Sequence, residues 1–206
     1  MLWIGLTGGI ASGKSSVARI FVRMGIPVVS ADVLAHEVLQ PGSEAVARVV
    51  ELFGRSVRTK NGGIDRQRLG ETVFADPTGA KLRALEQILH PQVRKKADEL
   101  RKELSRKGYG LAVYEVPLLF EKGMQGFFDR IVCVAVRPEI QVQRLIARDH
   151  ISSTEAYQRI HKQAELSMKL AGSDIVIWNN GQTSDLERIA ESVARALLTN
   201  SKRRQE

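Results

Sequence analysis

The 206-residue chain contains one cysteine, Cys133, so an internal disulfide and the small stapled folds of secreted proteins are excluded. Cys133 lies in the apolar run Ile131-Val132-Cys133-Val134-Ala135-Val136 and reads as a buried small hydrophobe. No apolar stretch approaches the roughly 20 residues a helix needs to cross a bilayer. The opening Met1-Leu2-Trp3-Ile4 lacks a basic leader and runs straight into a glycine loop, so it is expected to be a core strand and not a signal peptide. A cytoplasmic protein with no membrane partner is expected. Internal repeats and low-complexity linkers are also missing, which excludes solenoids and tethered arrays. Aromatic residues make up only 5% and do not interleave with the basic ones, so the stacking platform of single-strand nucleic-acid binders is lacking.

What is present is an ordinary globular composition, 43% hydrophobic, with a net charge of +8. Such an excess admits a nucleic-acid surface, a pocket for polyanionic small molecules or plain surface charge. The densest basic segment, Arg94–Lys107, sets seven basic residues among three acidic ones along a helical pattern, as a solvated face does. The tail Ser201–Glu206 is basic and reads as a solvated end. Nucleic acid is therefore not the favoured partner, and no obligate protein partner is evident.

Short β-rich runs alternate with helical patterns. Strands are expected at Leu2–Thr7, Ile26–Ser30, Leu111–Val116, Ile131–Val136 and Ile175–Trp178. Val17, Ile20, Phe21 and Met24 share one helical face, and Gly25 ends that helix. Residues 33–107 read as mostly helical, with a helix over Val33–Gln40, Asp76-Pro77 opening a long helix, and a break or bend at His90-Pro91. Pro138–Asp149 is helical, and the capping boxes Ser152-x-x-Glu155 and Ser184-x-x-Glu187 open two more helices, the last running to about Thr199. Strands buried on both faces and separated by helices make a parallel sheet in an α/β fold.

Gly8-Gly9-Ile10-Ala11-Ser12-Gly13-Lys14-Ser15 fits G-x-x-x-x-G-K-[ST] with no mismatch, after a strand and before an amphipathic helix, which is the context the motif requires. Its backbone amides form an anion nest, and the helix start adds partial positive charge. Gly8, Gly9, Ala11, Ser12 and Gly13 are the expected cradle for the phosphates of ATP. Lys14 supplies a point charge to the β- and γ-phosphates, Ser15 a hard oxygen for Mg²⁺, and Ser16 a contact to the α-phosphate. The motif fixes nucleotide binding but leaves the acceptor open.

Parallel sheets bind ligands at the carboxyl ends of strands. Asp32, just past the second strand, is placed to orient an acceptor hydroxyl and take its proton, or to cap the next helix. Glu115, closing the third strand, either holds Mg²⁺ or is simply polar at a strand end. His36 and His90 sit in helical stretches as ligand contacts or solvated side chains. Arg144, Arg148 and Arg159 precede the fifth strand; Arg148 is the first choice to stabilise the transferring phosphoryl group, and pairing with Asp149 or Glu155 is the alternative.

Taken together these motifs resemble the dephospho-CoA kinases. The resemblance is carried by Leu6–Ser15, by Ser30-Ala31-Asp32-Val33-Leu34-Ala35-His36-Glu37-Val38 with Pro41-Gly42, by His90-Pro91 with Val93-Arg94, and by Val116–Glu121. Gln143-Arg144-Leu145, Arg148-Asp149, Arg159-Ile160 and Gln163 resemble the family's lid, and Ala171–Gly181 its closing strand and turn. The resemblance implies a five-stranded parallel P-loop NTPase core (residues 1–32, 108–139 and 171–206), a helical CoA-binding insertion (33–107) and a helical lid (140–170). It implies transfer from ATP to the ribose 3′-hydroxyl of dephospho-CoA with Asp32 as base. His36, His90 and Pro117, Leu118, Leu119, Phe120 and Glu121 would line the acceptor side, Arg148 would act from the lid, and Asn179 and Gly181 would lie near the adenine. Ala11 departs from a common glycine, Gly172-Ser173 precede Asp174, and Trp178 stands where a smaller or polar residue is expected. A kinase for another small acceptor and a non-catalytic nucleotide-gated RNA-binding module are the rival readings.

Overall fold

The structure, a computed structural model, describes residues 1–203; Arg204-Gln205-Glu206 of the basic tail lie outside the described residues. The chain divides into two compact units, one formed by Met1–Ser30 with the chain from Glu103 onward, the other by Ala31–Lys102.

The first unit is built on five strands, β1 (Leu2–Gly8), β2 (Val28–Ser30), β3 (Leu111–Glu115), β4 (Arg130–Ala135) and β5 (Ile175–Trp178), in the order β2-β3-β1-β4-β5. Every pairing is parallel. All seven residues of β1 are buried, as the central strand of a doubly covered sheet must be. The first helix, α1 (Lys14–Arg23), buries Val17, Ala18, Ile20 and Phe21. It stops where Gly25 takes a φ of 78°, and the amides of Gly25 and Ile26 fold back onto the carbonyls of Val22 and Phe21. Phe21, Ile4, Leu6, Val17 and Ile177 form the middle of one core with Leu186, Ala190 and Ala194. Each large side chain there contributes about 1.5–3 kcal/mol of burial.

The second unit holds α2 (Ala31–Glu37), α3 (Glu44–Phe53), a 3₁₀ turn (Arg55–Val57), α4 (Arg66–Phe74) and most of α5 (Ala80–Arg106). Ser43 caps α3 and Asp65 caps α4 through backbone amides. A separate core of Val38, Val46, Val49, Val57, Leu69, Val73 and Ile88 holds these helices together.

Several local expectations are corrected. The break at His90-Pro91 is absent: α5 continues through Pro91 as one 27-residue helix, at the cost of one ladder hydrogen bond. That helix begins at Ala80 and not at Pro77. The Asp76 carboxylate bridges the gap by accepting from the Thr78 and Lys81 amides at 3.0 and 2.9 Å. The hydrogen bonds from Lys81 and Thr78 lower its pKa to about 2. Asp32 lies inside the first turn of α2 and not at its cap.

The rest of the first unit is α6 (Pro138–Asp149), α7 (Ser153–His161), α8 (Leu166–Ala171) and α9 (Thr183–Arg203). The Ser152–Glu155 capping box is complete in both directions. The second box is not formed, because Thr183 is already helical and Ser184 falls within the first turn; α9 also extends to Arg203. Among the described residues no helix is long and apolar enough to cross a membrane.

Candidate active site

At its carboxyl end β1 gives way to the loop Gly9–Gly13, which feeds α1. The Ser12 amide donates to the Gly9 carbonyl at 3.1 Å and closes a tight turn. Ala11 and Gly13 both adopt positive φ, 58° and 95°. A Cβ at Gly13 would also strike the amide nitrogen of Asn179, so glycine is needed there on two counts. Among the described residues the N–H groups of Ala11, Gly13, Lys14 and Ser15 make no hydrogen bond to the protein. Unpaired amides at a helix start are an anion site.

Lys14 reaches across to β3. Its Nζ is 2.6 Å from Glu115 Oε1, and Ser15 Oγ donates to the same oxygen at 3.2 Å. The parallel register that sets Leu6 beside Glu115 brings them together. An ammonium, a carboxylate and a hydroxyl thus meet at the edge of the loop. The Ser15 and Glu115 oxygens suit a hard divalent cation completed by water and phosphate oxygens, the habit of Mg²⁺. Among the described residues no group of three or more acidic, histidine or cysteine side chains could hold a metal without such help. Ser16 accepts a hydrogen bond from Arg19 at 3.2 Å.

Arg148 lies near the end of α6 and donates through Nε and an Nη to Asp149, at 2.7 and 3.1 Å; Arg159 of α7 donates to the same carboxylate at 2.7 Å. The Asp149 hydrogen bond outweighs burial and pushes the Arg148 guanidinium above its ordinary value. The Arg148 hydrogen bond in turn holds Asp149 below the usual carboxylate range. Both partners are exposed enough for this pair to be exchangeable. Arg144 instead donates to Asn179 Oδ1 at 3.4 Å.

The family model for dephospho-CoA kinase matches residues 2–185. A dephospho-CoA kinase of Bacillus licheniformis is 44% identical over 186 residues, 90% of this chain and 92% of the relative. One from Geobacter sulfurreducens is 44% identical over 190 residues, 92% and 95% of the two chains. The solved structure of a dephospho-CoA kinase from Campylobacter jejuni superimposes with a TM-score of 0.75 at 27% identity, covering 96% of this chain and 98% of that one. The chain belongs to the dephospho-CoA kinase family. It is a transferase of coenzyme A synthesis on the α/β P-loop kinase fold described above.

Within this dephospho-CoA kinase the remaining candidates fall into distinct surroundings. In the helical unit Asp32 is exposed, and among the described residues its carboxylate has no hydrogen-bond or ion-pair partner. His36 Nδ1 accepts from Arg66 at 3.0 Å, and its Nε2 lies 2.9 Å from the Gln40 amide. Arg66, which the sequence did not single out, is therefore part of the His36 surroundings. His90 is exposed on α5.

In the core unit the stretch Pro117–Glu121 is divided. Leu119 and Phe120 are buried core residues, and Leu118 is at the surface. Pro117 offers its carbonyl to Thr7 at 3.4 Å. Glu121 Oε1 accepts from the Ala164 amide and lies 2.8 Å from Lys169 Nζ, an ion pair almost closed to solvent. Burial alone would push the Glu121 carboxyl up. The Lys169 ammonium beside it and the backbone amides together outweigh it and hold the group below its ordinary value. The Asn179 side chain is buried and donates to the Ser12 carbonyl at 2.8 Å, so it secures the phosphate loop. Gly181 lies beside Asp185 at the start of α9. Trp178, the unexpected bulky residue, stands 42% exposed at the end of β5. Cys133 is fully buried, and burial pushes its thiol up, away from reactivity.

Proposed function

We propose that this kinase moves the γ-phosphoryl group of ATP to the ribose 3′-hydroxyl of dephospho-CoA, with Lys14, Asp32 and Arg148 as its reacting machinery. The convergence of Lys14, Ser15 and Glu115 beside a row of unpaired loop amides carries this reading. The amides and Lys14 would take the β- and γ-phosphates, the ammonium exchanging its Glu115 contact for phosphate oxygens. Ser15 and Glu115 would hold Mg²⁺, which supplies charge neutralisation between those oxygens when bound.

Asp32 is the proposed base: an exposed carboxylate with nothing else to do, two residues past β2 in the chain. His36, steadied by Arg66, and His90 are proposed contacts of the helical unit with dephospho-CoA, as is Leu118 in the core unit. Arg148 would leave Asp149 to meet charge spreading over the transferring oxygens. Asn179 supports the cradle from behind, and Gly181 is the proposed neighbour of the adenine. Residues 140–170 act as the lid. The substrates are soluble, and we place the enzyme in the cytoplasm.

The test is ADP release with Mg-ATP and dephospho-CoA, beside AMP, shikimate and a water blank. Turnover with dephospho-CoA alone, lost in Asp32→Asn, is expected. Turnover with another acceptor would remove the substrate assignment.

A further inference from the structure

The two peptide groups that flank Ile10 of the phosphate loop are each held by a glutamine. The Ile10 amide donates to Gln163 Oε1 at 2.8 Å, and the Ile10 carbonyl accepts from Gln141 Nε2 at 2.7 Å. Gln141 belongs to the first turns of α6 and is buried; Gln163 follows the end of α7. These two residues bracket the segment that carries Arg144, Arg148 and Arg159. The fit is close, for a Cβ at Gly9 would lie 2.7 Å from Gln141 Nε2.

The apolar contacts run the same way. Val142, Leu145 and Ala156 form a small cluster, and Ile10 and Ala11 of the loop pack against it with Ile146, Ile151 and Ile160. A cavity of about 320 Å³ beside the loop is lined by Gly9, Ser12, Gln141, Gln163 and Lys169 among others, so packing alone does not fill the space next to the two glutamines. Ala11, the residue after Ile10, holds a left-handed backbone that a non-glycine residue keeps only where its surroundings impose it.

We propose that Gln141 and Gln163 are positioning residues that fix the two peptides flanking Ile10, and so hold the phosphate loop in its anion-binding shape in register with the arginine-bearing lid. Neither touches the reacting atoms. They act through Ile10 and Ala11 on the amides of the nest. The inference rests on the assignment of residues 8–15 as the ATP cradle.

The test compares Gln163→Met, which keeps size but removes the acceptor, with Gln163→Glu, which keeps an acceptor for the Ile10 amide, and with Gln141→Met. ATP affinity is read directly with a fluorescent ATP analogue, turnover by ADP release, and Ile10 amide protection by hydrogen exchange. Loop misplacement is costly, so Gln163→Met should weaken ATP binding and lower kcat each on the order of tenfold. Ile10 should lose protection, and KM for dephospho-CoA should stay near wild type. Gln163→Glu should restore Ile10 protection and most of the ATP affinity. Because both glutamines act on one residue, Ile10, the losses in the double Met variant should be less than the product of the single ones. Unchanged ATP affinity in Gln163→Met, or an equal loss in Gln163→Glu with Ile10 still protected, would overturn the proposal. Lys14→Ala separates the two levels: if it leaves ATP binding intact, the cradle assignment itself fails. If it abolishes binding and Gln163→Met does not alter it, only the clamp fails.

Discussion

At the scale of single residues, Ala11 holds local strain in the phosphate loop; His150 is the other non-glycine residue of positive φ among the described residues. An L-residue in the left-handed region costs roughly 1–2 kcal/mol, and glycine avoids that at a smaller entropic cost. Ala11→Gly should therefore raise stability by about 0.5–1 kcal/mol, seen as a higher Tm by circular dichroism. A lower Tm would mean that the Ala11 methyl matters more to the lid cluster than its backbone costs. Arg148 makes the opposite kind of prediction. If its charge is needed only as the phosphoryl group transfers, Arg148→Ala should cut kcat on the order of a hundredfold and change ATP affinity only a few-fold. Normal turnover with weak ATP binding would assign it to ground-state binding. The loop residues, Lys14, Ser15 and Glu115 were legible in the chain because their spacing and strand ends are local facts. Gln141 and the Asn179 contact to Ser12 were not. Ser12 and Asn179 are 167 residues apart, and only the parallel order of β1, β4 and β5 joins them.

At the scale of elements, the Glu121–Lys169 pair ties the turn after β3 to α8. Family resemblance put Glu121 on the acceptor side, but a glutamate in a mixed apolar turn gives no local sign of a lysine 48 positions on; the nearly solvent-free ammonium of Lys169 is the partner that accounts for its burial. Removing one member strands the other. Lys169→Met should cost about 3–5 kcal/mol at neutral pH, and Glu121→Gln added to it should recover part of that loss. The pH dependence should weaken as well. In the wild type the Glu121 carboxyl is depressed, so the pair stabilises fully above the carboxyl's unfolded value and is lost as pH falls through the folded one. In Lys169→Met only the backbone amides still oppose burial, so the carboxyl should rise from its wild-type position and the loss of stability on acidification should be smaller than in the wild type. Chemical denaturation of both proteins from pH 3 to 8 checks this. Capping shows the same limit of local reading. Ser152 and Ser184 present one pattern, yet only Ser152 has an extended backbone at the start of its helix. A cap motif names a candidate start, and the approach of the chain decides among candidates.

At the scale of the molecule, a charge of +8 would favour the capture of two polyphosphate substrates, and the unpaired amides and Lys14 follow the carboxyl end of β1 in a parallel sheet. The parallel α/β core was legible because buried strands and intervening helices repeat along the chain. The helical insertion over 33–107 was legible only through the family resemblance, since no composition break marks residues 31 or 102, and its own apolar core was not legible at all. A positive field acts on encounter and hardly at all on a bound complex. Salt shortens its reach from about 30 Å at 0.01 M to about 8 Å at 0.15 M. Over that range kcat/KM for ATP and for dephospho-CoA should each fall on the order of tenfold while kcat stays level, if capture depends on the whole surface. If the dozens of scattered surface charges are only solvated, as the interleaved Arg94–Lys107 helix suggests, kcat/KM will barely move, and the capture of polyanions then rests on the loop amides and Lys14 alone.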